Sequence, residues 1–263
     1  METVTSPDGT TIAYERTGSG APLVLVHGSA GDHTRWGRVQ PLLDDHFTVH
    51  AMDRRGRGKS GDGATYAFAR EAEDIAHLVD SLTGPAVVYG HSFGALCSLE
   101  AALLCENLDK LVLYEPPFPP GDHELYRAGV ETELDGLLEK GDREAALVLF
   151  LREIAQMAPA EIDGLRAAPN WPGRVQAAHT LARELKAEMG FRFDATRFRH
   201  VHTPTLLLLG SESQDVIQDA TEAVAKALPN SRIAVLAGPA HIADVTAPDM
   251  VVREILSFAR SPT

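Results

Sequence analysis

Cysteine is nearly absent from this chain: Cys97 and Cys105 are the only two in 263 residues. So few thiols exclude a disulfide-stapled scaffold. Both fall on one predicted helix, about two turns apart, which is too far for a disulfide. They read as small apolar residues in a reducing compartment, the cytoplasm. Basic residues are scarce too, 24 Lys and Arg against 37 Asp and Glu, for a net charge of −13. Such a surface repels phosphate backbones and argues against a nucleic-acid partner. No apolar run approaches a membrane span, so no membrane partner is expected. The stretch Met1-Glu2-Thr3-Val4-Thr5-Ser6 lacks the basic and apolar regions of a signal peptide. Internal repeats and low-complexity tracts are likewise missing.

What is there suffices for a sizeable core: 44% hydrophobic and 23% charged residues, ordinary values for one large α/β domain or one domain with an insertion. An Asp8-Gly9 turn precedes a strand at 10–15, one arm of an N-terminal hairpin. Residues 22–27 form a continuous apolar run, as a strand buried on both faces requires. Further strands are expected at 47–53, 85–89, 110–114, 204–209 and 231–236. Helical patterns at 71–82 and 218–228 alternate with them, which predicts a mostly parallel sheet with helices on both faces. One connection breaks the rhythm. Between 114 and 204 the chain is far longer than a loop and one helix. Its helical segments at 125–140, 142–157, 159–168 and 175–189 predict a cap over 117–202, inserted into a core of 1–116 and 203–263.

The run Val87-Val88-Tyr89-Gly90-His91-Ser92-Phe93-Gly94-Ala95 carries the chemistry. It reads as a strand, then Gly-x-Ser-x-Gly, then a helix over 95–104. That order is a nucleophile elbow, a sharp turn that pushes the Ser92 hydroxyl into a site. Glycine at 90 and 94 avoids crowding where strand meets helix. A serine hydroxyl has a pKa far above 7, so a neighbouring imidazole must take its proton. Among eleven histidines, His241 stands in a Gly-containing loop after the last strand. His200-Val201-His202 has strand spacing but no evident third metal ligand, and reads as surface loop.

Over nearly its whole length the sequence resembles an α/β-hydrolase of the capped, small-molecule kind, which includes esterases, C–C bond hydrolases and haloperoxidase-like enzymes. The resemblance rests on Val26-His27-Gly28-Ser29, on Asp53-Arg54-Arg55-Gly56-Arg57-Gly58-Lys59-Ser60, on the Ser92 elbow and on Gly238-Pro239-Ala240-His241. It implies an eight-stranded sheet with one antiparallel strand near the start. It also implies His241 as general base, and backbone N–H groups of Ser29 and Phe93 as oxyanion donors. His27 and His91 are usually structural or pocket-lining in the family, and Asp53, Gly56, Gly58 and Ser60 shape a loop beside the site.

The third catalytic member departs from the common pattern. The family most often places an aspartate after the strand that follows the cap, and here that position is Ser213. Glu115 is the favoured acid. It ends the strand 110–114 before Pro116-Pro117, where a subset of the superfamily carries its acid. A buried carboxylate there needs a partner, which His241 would be. Asp215 and Glu212 are the alternatives, with Asp215 also suited to capping a helix. Trp36 is read as pocket wall or core, and Trp171 as part of the cap's own core within a break at 170–173.

The resulting expectation is a serine hydrolase of a small, fairly apolar ester, thioester or lactone. It would use Ser92, His241 and Glu115 and no cofactor or metal. A C–C hydrolase with the same residues, or a non-turnover small-molecule receptor, are the alternatives.

Overall fold

A computed structural model describes residues 1–121 and 124–261. Eight strands form one sheet: β1 (Glu2–Thr5), β2 (Thr11–Gly18), β3 (Ala21–Val26), β4 (Phe47–Met52), β5 (Ala86–His91), β6 (Leu108–Tyr114), β7 (Thr205–Gly210) and β8 (Ser231–Leu236). Their order is β1-β2-β4-β3-β5-β6-β7-β8. Only β2 runs against its neighbours, pairing antiparallel with β1 and β4. All later pairs are parallel.

Parallel strands are covered on both faces, so alternate residues feed two cores. On β3, Val24 and Val26 join one core with Val88, Leu111 and Leu113. Helices Phe68–Ser81, Phe93–Ala101 and Asp215–Ala227 cover that face. Leu23 and Leu25 join the other with Tyr89, Val112 and Tyr114, under the helix Pro248–Arg260. The strand order reverses between β3 and β5, because β4 lies on one side of β3 and β5 on the other. Loops leaving these two strands diverge and open a crevice at their carboxyl ends.

The insertion between β6 and β7 is helical, with a third core of its own around Leu134, Leu147, Phe150 and Leu181. The single helix expected at 175–189 is split into Trp171–Ala177 and Leu181–Gly190, with a 3-10 turn at Ala178–Thr180. The expected break at 170–173 instead starts a helix, since Pro172 sits in a first turn where its missing N–H costs nothing. The helix after the elbow ends at Ala101, so Cys105 lies beyond it rather than on it, and both thiols are free. Trp36 is core: it has no exposed surface and packs on Tyr89, ring centroids 5.2 Å apart. Among the described residues, no helix is long and apolar enough to cross a membrane.

Two glycines separate tight packing from open space. A Cβ on Gly94 would run into the carbonyl oxygens of Val26 and His27, whereas one on Gly136 would meet nothing within 4 Å. Gly94→Ala should destabilise the fold by about 2–3 kcal/mol. Gly136→Ala, inside the helix Val130–Glu139, should stabilise it by about 0.5–1 kcal/mol. Denaturant unfolding of both variants checks the pair.

Candidate active site

The chain leaves β5 at His91 and enters a helix at Phe93, so the whole reversal falls on Ser92, with φ 56° and ψ −128°. That left-handed backbone is costly for a residue with a Cβ. The turn is held by the Ser92 N–H, which donates to Tyr114 O at 2.8 Å. Gly28 approaches from the β3 loop, and a Cβ there would lie 2.9 Å from that of Ser92. The Ser92 hydroxyl makes no hydrogen bond to another described residue, and Ser92 is half-buried.

His241 and Glu115 are directly joined, Nδ1 to Oε2 at 2.6 Å. A carboxylate accepts, so Nδ1 carries the proton and Nε2 keeps its lone pair. Glu115 has no exposed surface. Its other oxygen accepts from the Gly210 N–H at 2.7 Å and the Ser213 hydroxyl at 2.5 Å. Ser213, at the position where the acid was first sought, thus serves the carboxylate as a donor. Glu212 and Asp215 are exposed and bond no histidine among the described residues. Asp215 opens the helix Asp215–Ala227, where its charge complements the helix dipole.

Neither the Ser29 nor the Phe93 N–H is engaged by another described residue. Phe93 is the first residue of its helix, where such donors have no intrahelical partner. Ser29 follows Gly28 in the loop after β3.

Ser29, Ser92, Glu115 and His241 line one cavity of about 540 Å³, a size suited to a small molecule. Among the described residues, those of positive φ other than glycine are Ala30, Ser92, Glu115 and Gln156, and all four line this cavity. Strain of this kind clusters at functional sites in proteins, which makes the cavity the candidate site.

His91 supports His241. Its Nε2–H donates to His241 O at 2.7 Å, and burial, reinforced by the nearby Arg35 charge, holds the ring well below the usual histidine range. It therefore stays neutral and adds no second charge beside His241. His27 is structural: Nε2 accepts from the Arg54 N–H at 3.1 Å, and Nδ1 donates to Gly28 O at 2.7 Å. Asp53 is also structural, fully buried and accepting from the N–H groups of His33 and Lys59, both at 2.8 Å. His200 and His202 are exposed, and among the described residues no cluster of three or more ligands could hold a metal. Trp171 belongs to the core of the inserted helices.

Polar groups that sequence reasoning missed also line the cavity. Arg35 pairs with Asp244 at 2.8 Å. Arg174 donates to Ala30 O, and Glu188 accepts from the Tyr126 hydroxyl at 2.7 Å. Glu184 and Glu188, one turn apart among apolar positions, were the visible signal. On helix Leu181–Gly190, Glu184 accepts from Arg54 at 2.7 Å and Arg57 at 2.8 Å, seating the insertion on the loop after β4. The expected substrate was fairly apolar. The observed chamber has an apolar side formed by Phe150, Leu151, Ile154 and Met157, and a polar side.

A sequence profile described as the alpha/beta hydrolase family matches residues 23–254. The 2-(acetamidomethylene)succinate hydrolase of Mesorhizobium japonicum is 26% identical, over 94% of this chain and 91% of its own. An alpha/beta hydrolase from Sphaerobacter thermophilus is 37% identical with a TM-score of 0.85, covering 98% of this chain and 100% of that one. The esterase RhEst1 from Rhodococcus sp. is 25% identical with a TM-score of 0.78, covering 99% and 98%.

Burial pushes the Glu188 carboxyl up to about 8, with the Glu184 charge adding to the effect. The fold therefore keeps a proton that the unfolded chain releases near the ordinary carboxyl value. That contribution to stability is complete below the ordinary value and is lost as pH rises through about 8. Glu188→Gln lacks this titration. Its melting temperature should gain on the wild type between pH 5 and pH 9, and parallel profiles would contradict the burial argument.

Proposed function

The chain belongs to the alpha/beta hydrolase family, and on that premise we propose that it is a serine hydrolase forming an acyl-enzyme on Ser92. The observation that carries the reading is the strained Ser92 facing a cavity that it shares with His241, whose Nδ1 is fixed by the buried Glu115. A reactive carbonyl seated there would be attacked by the Ser92 oxygen as His241 Nε2 takes its proton. The oxygen of the tetrahedral adduct would accept from the Ser29 and Phe93 N–H groups. Each such donor is worth about 3 kcal/mol of barrier. His241 then protonates the leaving group, and water, activated by the same imidazole, releases the acid. Glu115 fixes the tautomer and stabilises the imidazolium without taking the proton. The Ser–His hydrogen bond would close on binding, as such bonds tighten in the substrate complex.

The substrate is a small ester, thioester or lactone, in keeping with the cavity volume of about 540 Å³. The side chains, two backbone donors and water suffice for this chemistry, so no cofactor is needed.

A fluorophosphonate should add one adduct per chain, read as intact mass, and Ser92→Ala should abolish it. Glu115→Gln should slow labelling by about a thousandfold or more, because it loses the correct tautomer. A folded wild-type protein that takes up no label would rule out the activated serine.

A further inference from the structure

We propose that Arg174 forms an anion subsite in the chamber, selecting esters that carry a carboxylate a few bonds from the scissile carbonyl. The proposal rests on the serine-hydrolase reading and names its substrate class.

Arg174 lies on the helix Trp171–Ala177 and is 9% exposed. One terminal nitrogen donates to Ala30 O, while its buried Nε has no hydrogen-bond partner. The other buried arginines all meet carboxylates: Arg54 meets Glu71 and Glu184, Arg55 meets Asp74 and Asp8, and Arg57 meets Glu184. Arg35, on the same cavity wall, has Asp244. Arg174 makes no ion pair among the described residues. In a chain with 37 acidic residues against 24 basic ones, a buried guanidinium without a carboxylate is an exception that needs a reason.

The surroundings disfavour its charge. Burial pushes it down to about 10, the Arg35 and Arg57 charges add to this, and Asp32 alone opposes them. Asp32 forms no ion pair with Arg174, and its Oδ1 accepts from the Thr34 N–H at 2.9 Å and hydroxyl at 2.5 Å. Glu188, on the same cavity, holds its proton at neutral pH, because burial lifts it to about 8. Arg174 thus presents to the chamber a positive charge that no carboxylate among the described residues pairs, which an incoming anion would neutralise.

Position sets the substrate's shape. The guanidinium holds the carbonyl of Ala30, the residue after the proposed oxyanion donor Ser29. An anion bound to it lies close to the reacting acyl group. With one N–H already given to Ala30, the guanidinium's remaining donors suit a singly charged, planar carboxylate.

Methyl hydrogen succinate and its neutral isostere, methyl 4-methylpentanoate, test this by pH-stat at pH 7. The wild type should favour the acid ester by roughly tenfold or more in kcat/KM. Arg174→Gln should lose about a hundredfold on the acid ester, mostly in KM, and stay within about threefold on the neutral one. Arg174→Lys should restore part of the loss. Equal loss on both esters would reduce Arg174 to a positioning residue for the Ser29–Ala30 loop. No wild-type preference for the acid ester would overturn the subsite outright. Fluorophosphonate labelling of each variant reports whether its site is intact. Should the variants not fold, calorimetry of methyl hydrogen succinate on Ser92→Ala decides instead: binding tighter than that of the isostere supports the subsite, and equal or absent binding refutes it. Preferential binding alongside an unlabelled wild type would sink the serine-hydrolase reading and leave the anion site standing.

Discussion

A carboxylate with no exposed surface at the end of β6 constrains everything around it. Taking such a group from water costs several kcal/mol unless each oxygen finds partners. Glu115 finds them in the Gly210 N–H, the Ser213 hydroxyl and His241 Nδ1. These three come from the end of β7, the loop after it and the loop after β8. One side chain therefore ties the ends of three strands and sets the tautomer of the imidazole. Gly210 must be glycine in that arrangement, because a Cβ would sit 2.5 Å from Pro239 O. The positive φ of Glu115 itself is the local cost of aiming its carboxylate at those partners.

A second set of buried charges does for the insertion what Glu115 does for the sheet. Arg54 and Arg57 leave the loop after β4 and meet Glu184 on an inserted helix. A buried pair of this kind is dear to break, about 3–5 kcal/mol for loss of one partner, so the helices are held in one orientation over the crevice. That orientation brings Arg174 to Ala30. It also sets the Asn170 amide 2.9 Å from the Thr34 hydroxyl on the opposite rim. The shape of the chamber thus follows from ion pairs that never touch the substrate.

Much of this was legible in the residues, for reasons that differ by element. The strands β3, β5 and β7 announced themselves because burial on both faces leaves mostly apolar positions, as in Pro22-Leu23-Val24-Leu25-Val26. The elbow was legible because a reversal within one residue leaves room only for Gly90 and Gly94. Glu115 could be suspected because a carboxylate before two prolines at a strand end has no ordinary use. Helix ends in the insertion were less visible: Trp171-Pro172-Gly173 looks like a break, yet proline is welcome in a first turn. Arg35, Arg174 and Asp244 were invisible as a group. Their roles depend on how distant segments meet in space, which local periodicity does not record.

The contact between Glu115 and Ser213 has a consequence for how such sites diverge. The two residues stand at neighbouring strand ends, one holding the imidazole and the other holding that residue's carboxylate. A lineage can therefore move its negative charge sideways by one strand, exchanging donor for acceptor, while the histidine and serine stay fixed. Relatives separated by that exchange would share a mechanism and yet disagree at both positions in any alignment. A motif search demanding an aspartate after β7 would discard this chain as a dead enzyme.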